Sequence, residues 1–159
     1  MTIRVQQVNG AEFTDFDQVL LLLQNAFAYM DQRIAPPSSL KQFDIAKIKA
    51  KSQQETLFLL TVNGEIAGCV FSKVNDRHVY LGKLAVDSRY CGRGYARRLM
   101  ARVEQHAKDN GIDCVELETR VELTENQRFF AAAGYVKIAE YTHPGYRRPT
   151  SYRYRKNVR

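Results

Sequence analysis

Between an apolar run, Tyr80-Leu81-Gly82-Lys83-Leu84-Ala85-Val86, and a strongly periodic helical segment lies Arg89-Tyr90-Cys91-Gly92-Arg93-Gly94-Tyr95-Ala96. Few local structures fit that order: a buried strand, a tight glycine-bearing turn, then a helix N-terminus. Such a junction gathers free backbone N–H groups and the positive end of a helix dipole, which makes it an anion site. The N–H groups from about Cys91 to Tyr95 suit a pyrophosphate. Gly92 and Gly94 let the backbone approach closely, and Arg89 and Arg93 add charge-assisted hydrogen bonds.

A second motif lies downstream, Glu125-Asn126-Gln127-Arg128-Phe129-Phe130-Ala131-Ala132-Ala133-Gly134-Tyr135. Together, Arg-x-x-Gly-x-Gly after Leu84-Ala85-Val86 and this Asn…Phe-x-x-x-Gly-Tyr helix resemble the GCN5-related N-acetyltransferases. The two motifs and the strand–helix order between them cover about the last half of the chain.

Length and composition agree with one globular domain. A chain of 159 residues, 45% hydrophobic and 26% charged, buries a core without metals or disulfides, so residues 1–159 are expected to form a single domain. No apolar run approaches the roughly 18 residues needed to cross a bilayer, and Met1 to Val5 lacks a signal-peptide core. A cytoplasmic location and no membrane partner are expected. Cys69, Cys91 and Cys114 have no paired spacing, and His78, His106 and His143 have no metal-ligand spacing, so reduced thiols and no metal are expected. The net charge of +7 concentrates after Glu140, in Arg147, Arg148, Arg153, Arg155, Lys156 and Arg159. That basic segment fits a polyanionic cofactor, an acidic acceptor, nucleic acid, an acidic membrane surface or plain solvent.

Taken in order, Ile3 to Val8 alternates weakly, as a first edge strand. Thr14 with Asp17 predicts a helix cap before the apolar face Phe16, Val19, Leu20, Leu23, Phe27. After Pro36-Pro37, capped by Ser38 or Ser39, a second helix is expected from about Leu40 to Ser52. Thr56–Val62 and Glu65–Ser72 flank Asn63-Gly64, a hairpin signal, and His78–Val86 follows. A helix from Gly94 to Asn110 leads by a right-handed crossover to the strand Cys114–Thr119. The helix Asn126–Ala133 and the strands Tyr135–Tyr141 and Ser151–Lys156 end the chain. The order β-α-α-β-β-β-α-β-α-β-β predicts an α/β fold. The resemblance implies the acetyltransferase form of it, a mixed sheet of six to seven strands with helices on both faces. It also implies a splay between the strand ending at Val86 and the one starting at Cys114.

The resemblance further implies acetyl-coenzyme A as cofactor. Backbone groups of Leu84, Ala85 and Val86 would pair with the pantetheine amides, the Asn126 amide would contact the arm, and Phe129 would pack on it. A helix N-cap is the alternative for Asn126. The implied reaction is direct transfer of an acetyl group from the thioester to a primary amine of a small molecule or peptide, with a base to deprotonate the amine. Glu116 and Glu118 share one face of a central strand. Glu118, nearer its C-terminal end, is the first candidate base; His78, at the start of the preceding strand, is the second. Ordinary alternatives pair either glutamate with Lys83 or an arginine and leave His78 in a turn. Where relatives commonly place a tyrosine as acid stands Phe130, so Tyr135, Tyr141, Tyr146, water or no group at all protonates the thiolate.

By the same resemblance, Tyr29, Arg33 and Phe43 border the acceptor pocket. The segment Tyr141 to Ser151, with Tyr146 and Arg148, is expected to wall it and to favour an amine beside a carboxylate or phosphate. The same wall could instead pack on a second subunit in a homodimer. Two rival functions are a non-catalytic acyl-coenzyme-A-binding module and a nucleic-acid binder stacking bases on Tyr141, Tyr146, Tyr152 and Tyr154. The second has no binding motif behind it.

Overall fold

A computed structural model describes all 159 residues, Met1–Arg159. The order is β1 (Ile3–Gln7), α1 (Phe16–Phe27), α2 (Ile45–Gln54), β2 (Thr56–Val62), β3 (Glu65–Val74), β4 (Val79–Val86), α3 (Tyr95–Asp109), β5 (Cys114–Arg120), α4 (Thr124–Ala132), β6 (Val136–Tyr141) and β7 (Ser151–Asn157). The seven strands form one mixed sheet, β1-β2-β3-β4-β5-β7-β6, in which only β4 and β5 run parallel. β1 is an edge strand as expected.

Strand periodicity divides the core between the two faces of the sheet. In β2, Phe58, Leu60 and Val62 join Val70, Leu99, Met100, Val103 and Phe130 under α3 and α4, whereas Leu57 and Leu59 join Phe71, Val19, Leu23 and Ile48 under α1 and α2. Both faces are covered, so β2 and β3 read as nearly continuous apolar runs. The Asn63-Gly64 turn has φ of 50° and 84°, the left-handed geometry a two-residue type I′ hairpin requires.

Two local expectations are corrected. Asp15, not Thr14, occupies the cap of α1 and makes no side-chain cap bond, so no capping box forms there. The segment from Leu40 to Ser52 is not one helix. A 3-10 turn, Ser39–Gln42, capped by Ser38 Oγ accepting from the Leu40 N–H, gives way at Phe43 to extended backbone. The Asp44 carboxylate then accepts from the Lys47 N–H at 2.8 Å and starts α2. Asp44 interrupts because an aspartate satisfies free N–H groups best at a helix start.

Four of the six cations of the basic C-terminal segment are paired within the chain, and Arg147 and Arg148 are not. Arg153 bonds Glu118, Arg155 bonds Glu116, Lys156 bonds Glu104 and Arg159 bonds Asp113, at 2.6 to 3.0 Å. The β5–β7 register puts Glu116 opposite Arg155 and Glu118 opposite Arg153, so pairing follows directly from strand alignment.

Candidate active site

The central opening of the molecule comes from one irregularity in β4. Phe71 pairs with Gly82 and Cys69 with Ala85, so Val70 alone faces both Lys83 and Leu84. Lys83 takes up this bulge at a φ of 51°, rare for a residue with a side chain. A bulge bends its strand. β4 and β5 pair only at Val79–Val115 and Tyr80–Glu116, and beyond that point they diverge around a cleft of about 560 Å³.

The cleft has two halves, because alternate residues of β5 face opposite sides of the sheet. On the α3/α4 side stand Leu117, Thr119, Leu123, Asn126 and Phe130. The Thr119 hydroxyl is buried without a hydrogen-bond partner. At this end of β4, Asp87 accepts from the Arg89 N–H and closes a single 3-10 turn. Gly92 and Gly94 then adopt φ of 78° and 81°, and Gly94 opens α3. The N–H groups of Gly92, Arg93, Gly94 and Tyr95 donate to no protein acceptor, and nothing lies within 4 Å of where a Gly92 or Gly94 Cβ would stand. Free donors at a helix start, an open cradle and an orphaned hydroxyl along the divide fit a ligand with phosphates at one end and amides along its arm.

On the α1/α2 side the cleft is lined by Tyr80, Lys83, Glu118, Arg120, Lys51, Phe43 and His143. Lys83 Nζ donates to Ser39 Oγ at 3.2 Å and lies 5.2 Å from the Phe43 ring centroid. Burial, with repulsion from Lys51 and Arg120, lowers its pKa from 10.5 to about 8. The Arg120 guanidinium donates to the Pro36 and Pro37 carbonyls at 2.7 and 3.2 Å. Burial raises Tyr80 to about 12, which keeps this phenol protonated at neutral pH.

Lys83 makes a stability prediction. Its folded pKa lies below its unfolded value, so the folded state binds fewer protons between about pH 8 and 10.5. The cost of holding the charge is complete below pH 8 and vanishes as pH rises through that window. Lys83→Met is therefore expected to resist urea better than wild type at pH 7, with the gap closing toward pH 10. A gap independent of pH would show that the charge is not what costs.

His143, in the β6–β7 connection, presents a specific proton geometry. Thr150 Oγ1 donates its one proton to the Tyr141 carbonyl at 3.2 Å and accepts from the His143 N–H at 3.0 Å. His143 Nδ1 bonds the same oxygen, so either the ring donates from Nδ1 while the hydroxyl proton stays on the Tyr141 carbonyl, or the hydroxyl turns to donate to Nδ1. Nε2 has no protein partner, and in the first of these tautomers it presents a lone pair. Burial first, then the Arg120 charge, holds the imidazole below its ordinary pKa, and so neutral at pH 7.

The residues singled out from sequence fall in different places. Leu84, Asn126 and Glu118 line the cleft. Ala85 is in the α1-face core, and Val86 and Phe129 pack against the α3-face core. Asn126 is not a helix N-cap, since α4 starts at Thr124 after Leu123. Arg89 is paired to Asp87 at 3.0 Å, Arg93 stacks on Tyr90, and Cys91 is exposed in the loop. Glu118 accepts from Arg153 at 2.7 Å, the arginine pairing foreseen as its alternative. His78 lies outside the cleft, bonded to Asn75 and 3.9 Å from Glu116. Tyr141, Tyr146 and Arg148 also lie outside it. Arg33 reaches past the Tyr29 ring to Glu125 at 2.7 Å and to the Glu122 carbonyl, so both residues tie the α1–α2 connection to the start of α4. Tyr135 donates to Glu104 and turns away from the cleft. Sequence reading passed over Tyr80, Lys83 and Arg120 as site residues, and His143 as an individual base.

A mixed sheet that splays beside a glycine-bearing anion cradle defines an acyl-coenzyme-A transferase architecture. A profile described as Acetyltransferase (GNAT) family matches residues 17–135, and the chain belongs to that family. Acetyl-coenzyme A is the family's cofactor. Over 110 residues the chain is 29% identical to N-acetylaspartate synthetase of Danio rerio, a stretch covering 64% of this chain and 39% of that protein. The chain thus spans well under half the length of this curated relative. PaiA N-acetyltransferase from Thermoplasma acidophilum, crystallised with coenzyme A, superposes with a TM-score of 0.79 at 12% identity, over 99% of each chain. Ribosomal-protein-S18-alanine N-acetyltransferase from Escherichia coli gives 0.70 at 20%, over 99% of this chain and 94% of that one. At these identities the likeness is one of fold.

Proposed function

We propose that residues 1–159 act as one N-acetyltransferase domain that transfers acetyl from acetyl-coenzyme A to a primary amine of a small molecule or peptide. The observation carrying this reading is the row of free N–H groups from Gly92 to Tyr95 at the mouth of the β4–β5 divide. When bound, acetyl-coenzyme A supplies the thioester whose acetyl group the amine takes. The cradle would hold the pyrophosphate, and the unpaired edge of β4 at Leu84 and the Thr119 hydroxyl would receive the arm. On the other side His143 Nε2 accepts the amine proton, with Thr150 and the Tyr141 carbonyl fixing the ring. Glu118 is the less available candidate because Arg153 already occupies its carboxylate. Protonated Tyr80 is the one phenol in the cleft and takes the place of the missing tyrosine at Phe130 as proton donor.

The enzyme would work in the cytoplasm, where Cys69, Cys91 and Cys114 stay thiols. Pairing of four of the six C-terminal cations with carboxylates, which leaves only Arg147 and Arg148 without one, argues against nucleic acid as a partner. No helix is long and apolar enough to cross a membrane. The test is release of coenzyme A thiol from acetyl-coenzyme A across amino acids, polyamines, aminoglycosides and peptides. Turnover with an amine supports the enzyme. Cofactor binding with no turnover on any acceptor would leave a binding module, and absence of cofactor binding would end both readings.

A further inference from the structure

Charge is unevenly satisfied in the α1/α2 half of the cleft. Its lining carries five groups that hold or can take charge: Lys51, Lys83, Glu118, Arg120 and His143. Lys51 is paired with Glu55 at 2.7 Å and Glu118 with Arg153 at 2.7 Å. His143 is neutral, as derived above. Lys83 and Arg120 remain. Neither has a carboxylate within ion-pair distance: Lys83 bonds one serine hydroxyl, and Arg120 bonds two prolyl carbonyls. Each is partly withdrawn from water, and each depresses its neighbour's charged form or is depressed by burial. Glu118 and Glu122 act on Arg120, and Glu55 on Lys83, only through space, so two cations beside one cavity have no carboxylate in direct contact and leave a place for one.

We propose that the acceptor amine carries a carboxylate, and that Lys83 and Arg120 receive it while His143 faces the amine. This rests on the acetyltransferase reading above and narrows its acceptor. The anchor differs from the one expected from sequence: Arg148 and its neighbours in the β6–β7 connection lie outside the cleft, and the unpaired charge comes from the β4 bulge and the end of β5. A polyamine would add cations to a cationic chamber and is disfavoured.

The test compares α-amino acids with their own α-amides, which match in shape and lose the carboxylate charge; the amide's less basic amine works in the amide's favour, so a preference for the carboxylate runs against it. Wild type is expected to prefer the carboxylate member about tenfold or more in kcat/KM, the usual worth of a hydrogen bond to a charged partner. Lys83→Gln and Arg120→Gln should each reduce that preference severalfold while the KM for acetyl-coenzyme A stays constant. Because Arg120 also braces the Pro36-Pro37 segment, Lys83→Gln decides if Arg120→Gln fails to fold. Equal use of amides, a preference for polyamines, or an unchanged preference in Lys83→Gln would overturn the proposal. Should no acceptor turn over, glutarate binding to the coenzyme-A-loaded protein by calorimetry replaces the kinetics. Binding lost in Lys83→Gln keeps the anion site although the enzyme reading has failed; no glutarate binding overturns the site as well.

Discussion

Gly92→Glu is expected to weaken acetyl-coenzyme A binding by about two orders of magnitude or more while leaving the fold intact. Two effects contribute and can be separated. The φ of 78° at Gly92 is one that L side chains resist, at about 1 to 2 kcal/mol. The second is charge. A carboxylate among the free N–H groups of Gly92 to Tyr95 competes for them and repels the pyrophosphate, by about 4 kcal/mol per charge pair at 4 Å and an effective dielectric of 20, less what salt screens. Nothing lies within 4 Å of the missing Cβ, so crowding adds nothing in the free protein. Gly92→Ala therefore reports strain alone and should lose affinity far less than the glutamate variant. Calorimetry on both, with circular dichroism to confirm folding, measures the difference. Equal affinity in wild type and Gly92→Glu would remove the pyrophosphate from this loop.

The cofactor half of the cleft is readable in sequence because its chemistry is backbone chemistry fixed by neighbours. A strand, two glycines and a helix start lie within fifteen residues, Tyr80 to Gly94, and no distant residue is needed to orient the donors. The strands around it are equally plain, since alternation and the Asn63-Gly64 turn are local signals. The acceptor half is assembled from separate elements. Arg120 is held by carbonyls more than eighty residues earlier in the chain, and Lys83 enters the cleft because a bulge turns it there. No sequence pattern marks Lys83, since a left-handed residue in a strand is usually glycine and Gly82 stands one position away. Glu116 and Glu118 show the converse limit: an arginine partner is among the expectations, but not which one. Their shared face was plain, but the arginines opposite them depend on β5–β7 register, which alternation cannot provide when both strands are polar on that side. Leu40 and Phe43 misled for a simpler reason: they match helical spacing, and only Asp44 marks the true start of α2.

His143→Asn is expected to lower kcat by about 10²- to 10⁴-fold, the range for loss of a positioned general base, with little change in the KM for acetyl-coenzyme A. The pH profile distinguishes this from mere disruption of the β6–β7 connection. His143 sits below its ordinary pKa, so wild-type kcat should rise with pH along a limb centred below 6.5, and that limb should vanish in the variant. Thr150 supplies the control that a purely structural role would not move. Thr150→Val removes the oxygen that holds Nδ1 and frees the ring to turn. It should cost kcat and shift the limb, whereas Thr150→Ser, which keeps the hydroxyl, should restore both. Glu118→Gln should leave the limb in place, because Arg153 rather than the acceptor amine holds that carboxylate. If instead Glu118→Gln removes the limb and His143→Asn does not, the base is Glu118, and the Arg153 pair must open during turnover.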